Sequence, residues 1–170
     1  MKILAQVECL KGSKLKYEID NQKRLVLDRV ISIPFPAAYG SIPSTIAPDG
    51  DPMDVFIINL PKGVKRGAFV MVRFVGIIRM TDNGVQDDKL LAMVEGGEDF
   101  QLITAAKVIS DFLKAYKSGV QLIEFNDNKQ TIANLEAEVE VVVKLHNNNA
   151  EVVVKLHNNN DIGVMIEYRQ

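Results

Sequence analysis

Apolar residues fall in short runs along the first part of the chain. Ile3 to Leu10 is brief and apolar-rich, whereas Lys16 to Ile19 and Leu25 to Val30 alternate in the manner of half-buried strands. Val55 to Leu60 is a continuous apolar run of the buried type, turned by Pro61-Lys62-Gly63. Phe69 to Met80 predicts a long strand with Gly76 in its middle, the place for a bulge or sharp bend. Thr81 to Lys89 is polar and acidic, and Leu90 to Val94 returns as a strand. Many short strands bent at glycines predict a small closed barrel rather than an open sheet. The segment from Pro34 to Pro52 holds five prolines and two glycines. Loops that long inside a small domain tend to be functional.

The period changes near Phe100. Ile103, Ala106, Ile109, Phe112, Leu113 and Tyr116 recur at helical spacing, and Ser118-Gly119 ends the pattern. A weaker helix is expected from Thr131 to Glu138, with Asn126-Asp127-Asn128 offering caps. Beyond it, Glu140-Val-Val-Val-Lys-Leu-His-Asn-Asn-Asn149 recurs unchanged as Glu151 to Asn160, with Ala150 between the copies. Each copy is β-prone and closes on an Asn-rich turn, so the repeat predicts a hairpin. Two readings stand: an added interaction surface, or a tandem duplication that the fold tolerates, and the second is preferred. Exposed Val-Val-Val strands are an aggregation hazard unless paired. This divides the chain into a unit of barrel and helices, residues 1–138, and an extension of 139–170, either continuous with it or appended.

Composition narrows the function classes. At 170 residues the chain suits one domain with a real core. Its net charge of −2 gives no overall pull towards nucleic acid or membrane, so neither is expected as a partner. Cys9 is the one cysteine, which excludes an intrachain disulfide and a thiolate zinc cage and fits a cytoplasmic location. No signal-peptide or membrane-spanning pattern is present. Both histidines lie inside the repeat, which argues against imidazole chemistry.

The chemistry is in the carboxylates. Asp49-Gly50-Asp51-Pro52-Met53-Asp54 packs three acids into one turn, where they repel one another unless a cation intervenes. Hard oxygen ligands suit magnesium or manganese. A calcium loop of the EF-hand type is rejected, because its acids and glycine fall at other positions. Read alone, the run is equally an ordinary solvated turn. Asp82 and Asp87-Asp88-Lys89 form a second acidic cluster between two predicted strands, so both clusters sit at strand mouths. Lys16, Arg29, Tyr39, Lys89, Tyr116 and Lys117 are the donors available to neutralise phosphoryl oxygens.

Taken in order, these segments resemble the family I soluble inorganic pyrophosphatases of the short bacterial type. The resemblance is carried by Glu8 to Ser13, Lys16 to Asp20, Leu27-Asp28-Arg29, Phe35 to Gly40, Asp49 to Val55, Met80 to Lys89 and Ala115 to Lys117. It spans Val7 to Leu135, and the Asp-x-Asp-Pro-x-Asp-Val signature is complete. The resemblance implies hydrolysis of inorganic pyrophosphate to two orthophosphates by a metal-activated water, without a covalent intermediate. It implies Asp49, Asp54 and Asp87 as ligands of a core metal pair, and Asp82 with Asp87 as ligands of a further metal brought by the substrate. Glu8 and Glu18 would act on metals largely through water, and Asp51 would be the general base. Lys16, Arg29, Tyr39, Lys89, Tyr116 and Lys117 would grip the phosphoryl groups. Magnesium is the implied cofactor, with manganese or another divalent ion as alternatives, and a homo-oligomer, by resemblance a hexamer, is the implied assembly.

The expected fold is α+β, mainly β: a small closed OB-like five-stranded barrel, one or two C-terminal helices packed outside, and a C-terminal hairpin. The sequence departs from the family pattern at Leu10, Phe35, Ala38 and Asn83, in a shortened segment after Val94, and at Ile123-Glu124-Phe125, where a tryptophan-bearing motif is usual. None of these removes a core ligand. The competing readings are an OB-like binding module, which calls for exposed aromatics and a basic groove, and a catalytically weakened homologue, which calls for a lost carboxylate.

Overall fold

The computed structural model describes residues 3–43, 45–95, 101–146 and 149–156. Its elements are β1 (Ile3–Cys9), β2 (Leu15–Ile19), β3 (Leu25–Val30), β4 (Ala38–Ser41), β5 (Asp54–Ile57), β6 (Phe69–Asp82), β7 (Val85–Gln86) and β8 (Lys89–Val94). They continue with α1 (Leu102–Tyr116), β9 (Val120–Asn126), α2 (Lys129–Glu138), β10 (Val139–His146) and β11 (Asn149–Leu156). The expected start of the first helix at Phe100 and the second Asn-rich turn, 157–160, lie outside the described residues.

The expected barrel is there. Strands run in the order β1-β4-β5-β8-β6, and β6 pairs back onto β1 to close the ring. The pairs are antiparallel except β5–β8, which is parallel and starts level at Asp54 and Lys89. Ile3, Ala5 and Val7 from β1, Val55 and Ile57 from β5, Val72 and Phe74 from β6, and Leu90 and Ala92 from β8 fill its interior. The other face of the wall carries Tyr39, Phe56, Ile78, Met80 and Leu91, which pack beneath Ala105, Ala106, Ile109, Phe112 and Leu113 of α1.

Strand β6 serves both layers because its register with β8 slips between Phe74 and Gly76. Val72 and Phe74 point inward before the slip. After it Ile77 points inward, while Ile78 and Met80 point at the helix. This is the bulge expected at Gly76. At Gly40 the reason for glycine is contact: a Cβ there would lie 1.9 Å from the Gln6 carbonyl oxygen.

Several details differ from the sequence reading. The run expected as a strand to Leu60 stops at Ile57, because the Asn59 side chain replaces the ladder. Its amide donates to the Val94 carbonyl (2.9 Å), and its oxygen accepts the Val94 N–H (2.7 Å). Strand β4 lies inside the segment read wholly as a loop. Strand β9 runs through Ile123-Glu124-Phe125 and pairs with the second half of β6. Ile103, counted on the buried stripe of the helix, is 66% exposed. The second helix begins as expected, with Asn128 Oδ1 accepting the Gln130 N–H at 2.8 Å.

Candidate active site

Period-two alternation extends the helix-covered face of the wall into a polar cavity. Two residues before Phe56 comes Asp54, two before Leu91 comes Lys89, two after Tyr39 comes Ser41, and two after Met80 comes Asp82. The strands therefore present polar side chains where the face runs past the end of α1, which ends at Tyr116 and Lys117. The carboxylates sit at strand ends as expected, on the outer face of the barrel rather than in its bore. The cavity has a volume of about 530 Å³. Of the side chains singled out in the sequence, Glu8, Lys16, Glu18, Arg29, Tyr39, Asp49, Asp51, Asp54, Asp82, Asp87, Lys89, Tyr116 and Lys117 line it, and Asp88 of the second acidic cluster does not.

Its apolar floor is a chain of rings. Phe35 stacks on Tyr39 at 5.4 Å between centroids, Phe112 meets Phe35 at 5.2 Å, and Tyr116 stacks on Phe112 at 5.4 Å. Tyr39 is buried, and that burial, with the Asp54 charge beside it, holds its hydroxyl well above the usual phenol range. The Tyr116 hydroxyl is buried and has no hydrogen-bond partner among the described residues. An orphaned donor of this kind is costly unless a ligand satisfies it.

The acidic run is shaped by backbone hydrogen bonds. Gly50 has φ +91 and donates to the Ala47 carbonyl (2.9 Å), while Asp51 N–H donates to Asp49 Oδ1 (3.0 Å). Thr45, which the sequence did not flag, closes the loop: its hydroxyl donates to the Ile42 carbonyl (2.6 Å) and accepts from Met53 N–H (2.8 Å). Burial, then the charges of Asp49, Asp54 and Glu18, raise the Asp51 carboxyl above its ordinary value. Glu8 is pushed up to about 7 by burial, with the Ser41 hydroxyl, donating at 2.6 Å, opposing the rise.

Cations separate the acids. The buried Lys89 ammonium bonds both Asp54 and Asp87, and Lys117 Nζ bonds Asp82 (2.7 Å) and Asp87 (3.1 Å). Burial works against ionisation of Asp87, but Lys89 and Lys117 outweigh it and lower its pKa. Lys16 Nζ (2.6 Å) and Arg29 Nε (2.9 Å) converge on Asp28 Oδ2, so Asp28 orders two of the predicted anion-binding groups. Asp88 does the same for the second acidic cluster from outside the cavity. Its carboxylate accepts from Arg79 Nη1 (2.6 Å), Gln86 Nε2 (2.7 Å) and Met80 N–H (3.1 Å). Thr45, Ser41 and Asp28 were missed as contributors, and Asp88 was named in the acidic cluster without its supporting role, because their partners are set by the fold. Asp28 had a signal in its place beside Arg29, and Asp88 in its place between Asp87 and Lys89.

The donor set suits a hard divalent cation: seven of the predicted residues are carboxylates, and all face one cavity. Among the described residues no three of them meet as a ready-made metal cage. The places between Asp54, Asp87 and Asp82 are bridged by the lysine ammoniums.

A barrel wall that sets clustered carboxylates against lysines, an arginine and an unpaired tyrosine hydroxyl has the makeup of a site for a phosphorylated substrate. The model of the family described as inorganic pyrophosphatase matches residues 5–160. The chain belongs to that family. Inorganic pyrophosphatase of Corynebacterium efficiens is 41% identical over 117 residues, which cover 67% of this chain and 73% of that protein. Soluble inorganic pyrophosphatase 3 of Arabidopsis thaliana is 33% identical over 132 residues, and the match spans 75% of this chain but only 61% of the plant protein. The structure of an inorganic pyrophosphatase from Coxiella burnetii superposes with a TM-score of 0.69 at 28% identity. That match covers 80% of this chain and 92% of the other. The structure from Thermus thermophilus gives 0.68 at 29% identity, over 78% and 86% of the two chains.

Proposed function

We propose that this chain hydrolyses inorganic pyrophosphate to two orthophosphates by direct attack of water, with magnesium as its cation and manganese as an alternative. The observation that carries the reading is one cavity that the signature carboxylates share with four cationic side chains, in a member of this family. Asp49, Asp54, Asp82 and Asp87 would hold the metal, with Glu8 and Glu18 acting through water. When bound, the cation supplies Lewis acidity, lowering the pKa of water and taking up phosphoryl charge.

The chain's own residues do the rest. Asp51 accepts the proton of the attacking water, and its raised pKa favours that task. Lys16 and Arg29, held together by Asp28, address one phosphoryl group from the β2–β3 hairpin. Lys89 from β8 and Lys117 from the end of α1 meet developing charge, where preorganised cations stabilise phosphoryl transfer. Tyr116 offers its unpaired hydroxyl to a phosphoryl oxygen, and Tyr39, held protonated by its burial, offers a second neutral donor. No covalent intermediate is needed. The catalytically weakened alternative is not favoured, since every predicted carboxylate is present and faces the cavity.

A cytoplasmic location and a homo-oligomeric state belong to the same proposal. The first is supported by the free, buried thiol of Cys9 and the second by resemblance to short bacterial members. Among the described residues, no helix is long and apolar enough to cross a membrane.

The test is phosphate release from pyrophosphate. Magnesium should permit it and EDTA should nearly abolish it. Asp51→Asn should lower it by about 10²-fold or more, the scale of general-base catalysis. Substantial release without metal, or an unaffected Asp51→Asn protein, would overturn the mechanism.

A further inference from the structure

The repeat folds into an antiparallel hairpin of a particular kind. In the β10–β11 register Glu140 stands opposite Lys155, and Val141, Val142 and Val143 stand opposite Val154, Val153 and Val152. Lys144 stands opposite Glu151. Both strands carry the same Glu-Val-Val-Val-Lys sequence. The hairpin is therefore this segment paired with an antiparallel copy of itself. Antiparallel self-pairing matches glutamate with lysine at both ends, whereas parallel pairing would set like charges side by side.

Among the described residues this two-stranded sheet has no third strand on either outer edge. β10 is the strand packed near β1. β11 contains β-branched valines and neither proline nor glycine, and its two charged residues, Glu151 and Lys155, are of opposite sign and complement each other in antiparallel self-pairing. We propose that the outer edge of β11 binds β11 of a second copy of this chain. The pairing is antiparallel about a twofold axis at Val153, and it makes a four-stranded sheet from two hairpins. In that register Glu151 faces Lys155 of the partner subunit, and Lys155 faces Glu151 of the partner subunit. The contact is isologous, so it closes as a pair instead of propagating through this edge.

Charge exchange in the full chain tests this. Lys155→Glu alone sets glutamate against glutamate at both ends of the intersubunit pair, and Glu151→Lys alone sets lysine against lysine. An equimolar mixture restores opposite charges at both ends. Light scattering should give the parent and the mixture a larger molar mass than either variant alone, and affinity-tagged Lys155→Glu should pull down untagged Glu151→Lys. Within each hairpin the lost Glu140–Lys155 or Lys144–Glu151 match is the same alone or mixed, so recovery on mixing cannot come from hairpin stability. Variants that keep the parent's mass, or a mixture that stays at the lower mass, would refute the pairing.

Discussion

Gly40→Ala isolates the contact that brings β1 and β4 together behind the cavity. In that pair Gly40 stands opposite Val7, and an added Cβ would lie 1.9 Å from the Gln6 carbonyl oxygen and 2.9 Å from its carbon. Carbon and carbonyl oxygen rarely approach closer than about 3.3 Å, so the strands must part by about 1.4 Å. Nothing flexible can yield, since all the atoms met are backbone. Overpacking of this kind costs about 1–3 kcal/mol or more, and each ladder bond stretched beyond reach adds about 1 kcal/mol. A loss on the order of 4 kcal/mol follows, which lowers Tm by about 10 °C in a domain of this size. The same parting pulls Ser41 from Glu8, now joined at 2.6 Å, and should lower phosphate release even below the transition. Gly76→Ala is the control. Its nearest neighbour is the Phe125 ring at 2.8 Å, a side chain that can turn, so the loss should be about 1–2 kcal/mol. Thermal melts by circular dichroism, with phosphate release at 25 °C, read both effects. A Gly40→Ala protein that melts within 2 °C of the parent, or below which Gly76→Ala falls, would refute the reasoning.

Two other outcomes are expected. Asp88→Ala frees Arg79, Gln86 and the Met80 N–H at once. Arg79 is about one-third exposed, so the cost to stability should stay near 2 kcal/mol. Phosphate release should fall about tenfold, because Asp87 and Lys89 flank the released residue; parental turnover would show that Asp88 positions nothing. Burial pushes the Cys9 thiol up to about 11, so at pH 8 only about a thousandth of it is thiolate. Labelling with a thiol reagent should be negligible in the native protein up to about pH 9 and stoichiometric in guanidinium; rapid native labelling at pH 8 would contradict the buried placement.

The sequence made the chemistry legible because the carboxylates and cations are concentrated in segments with a characteristic order, and each of them faces the cavity. The barrel was legible from short apolar runs and from Gly76. What escaped depends on contacts between distant segments. β4 reads as a loop because, Tyr39 aside, its residues Ala38, Gly40 and Ser41 have little strand propensity; pairing on both sides makes it a strand, and the close approach of β1 demands its glycine. Asn59 ends a strand by bonding Val94, and Ser41 meets Glu8 across 33 positions. Ile103 falls three residues before Ala106 but off the centre of the stripe; Leu102, seven residues before Ile109, takes the first-turn place against the wall. The supporting carboxylates Asp28 and Asp88 look like any other acids until the fold shows which donors converge on them.

The register slip in β6 has a consequence for how the molecule comes apart. One continuous strand contributes Val72, Phe74 and Ile77 to the bore of the barrel and Val75, Ile78 and Met80 to the layer beneath α1. Neither layer can lose its share of β6 while the other keeps its own. Barrel and helix should therefore behave as one cooperative unit, with the slowest-exchanging amides of α1 and β8 reporting a common opening free energy. The cavity wall, which borrows Asp82 from the end of that strand and Lys117 from the end of that helix, is assembled only when the whole unit is closed.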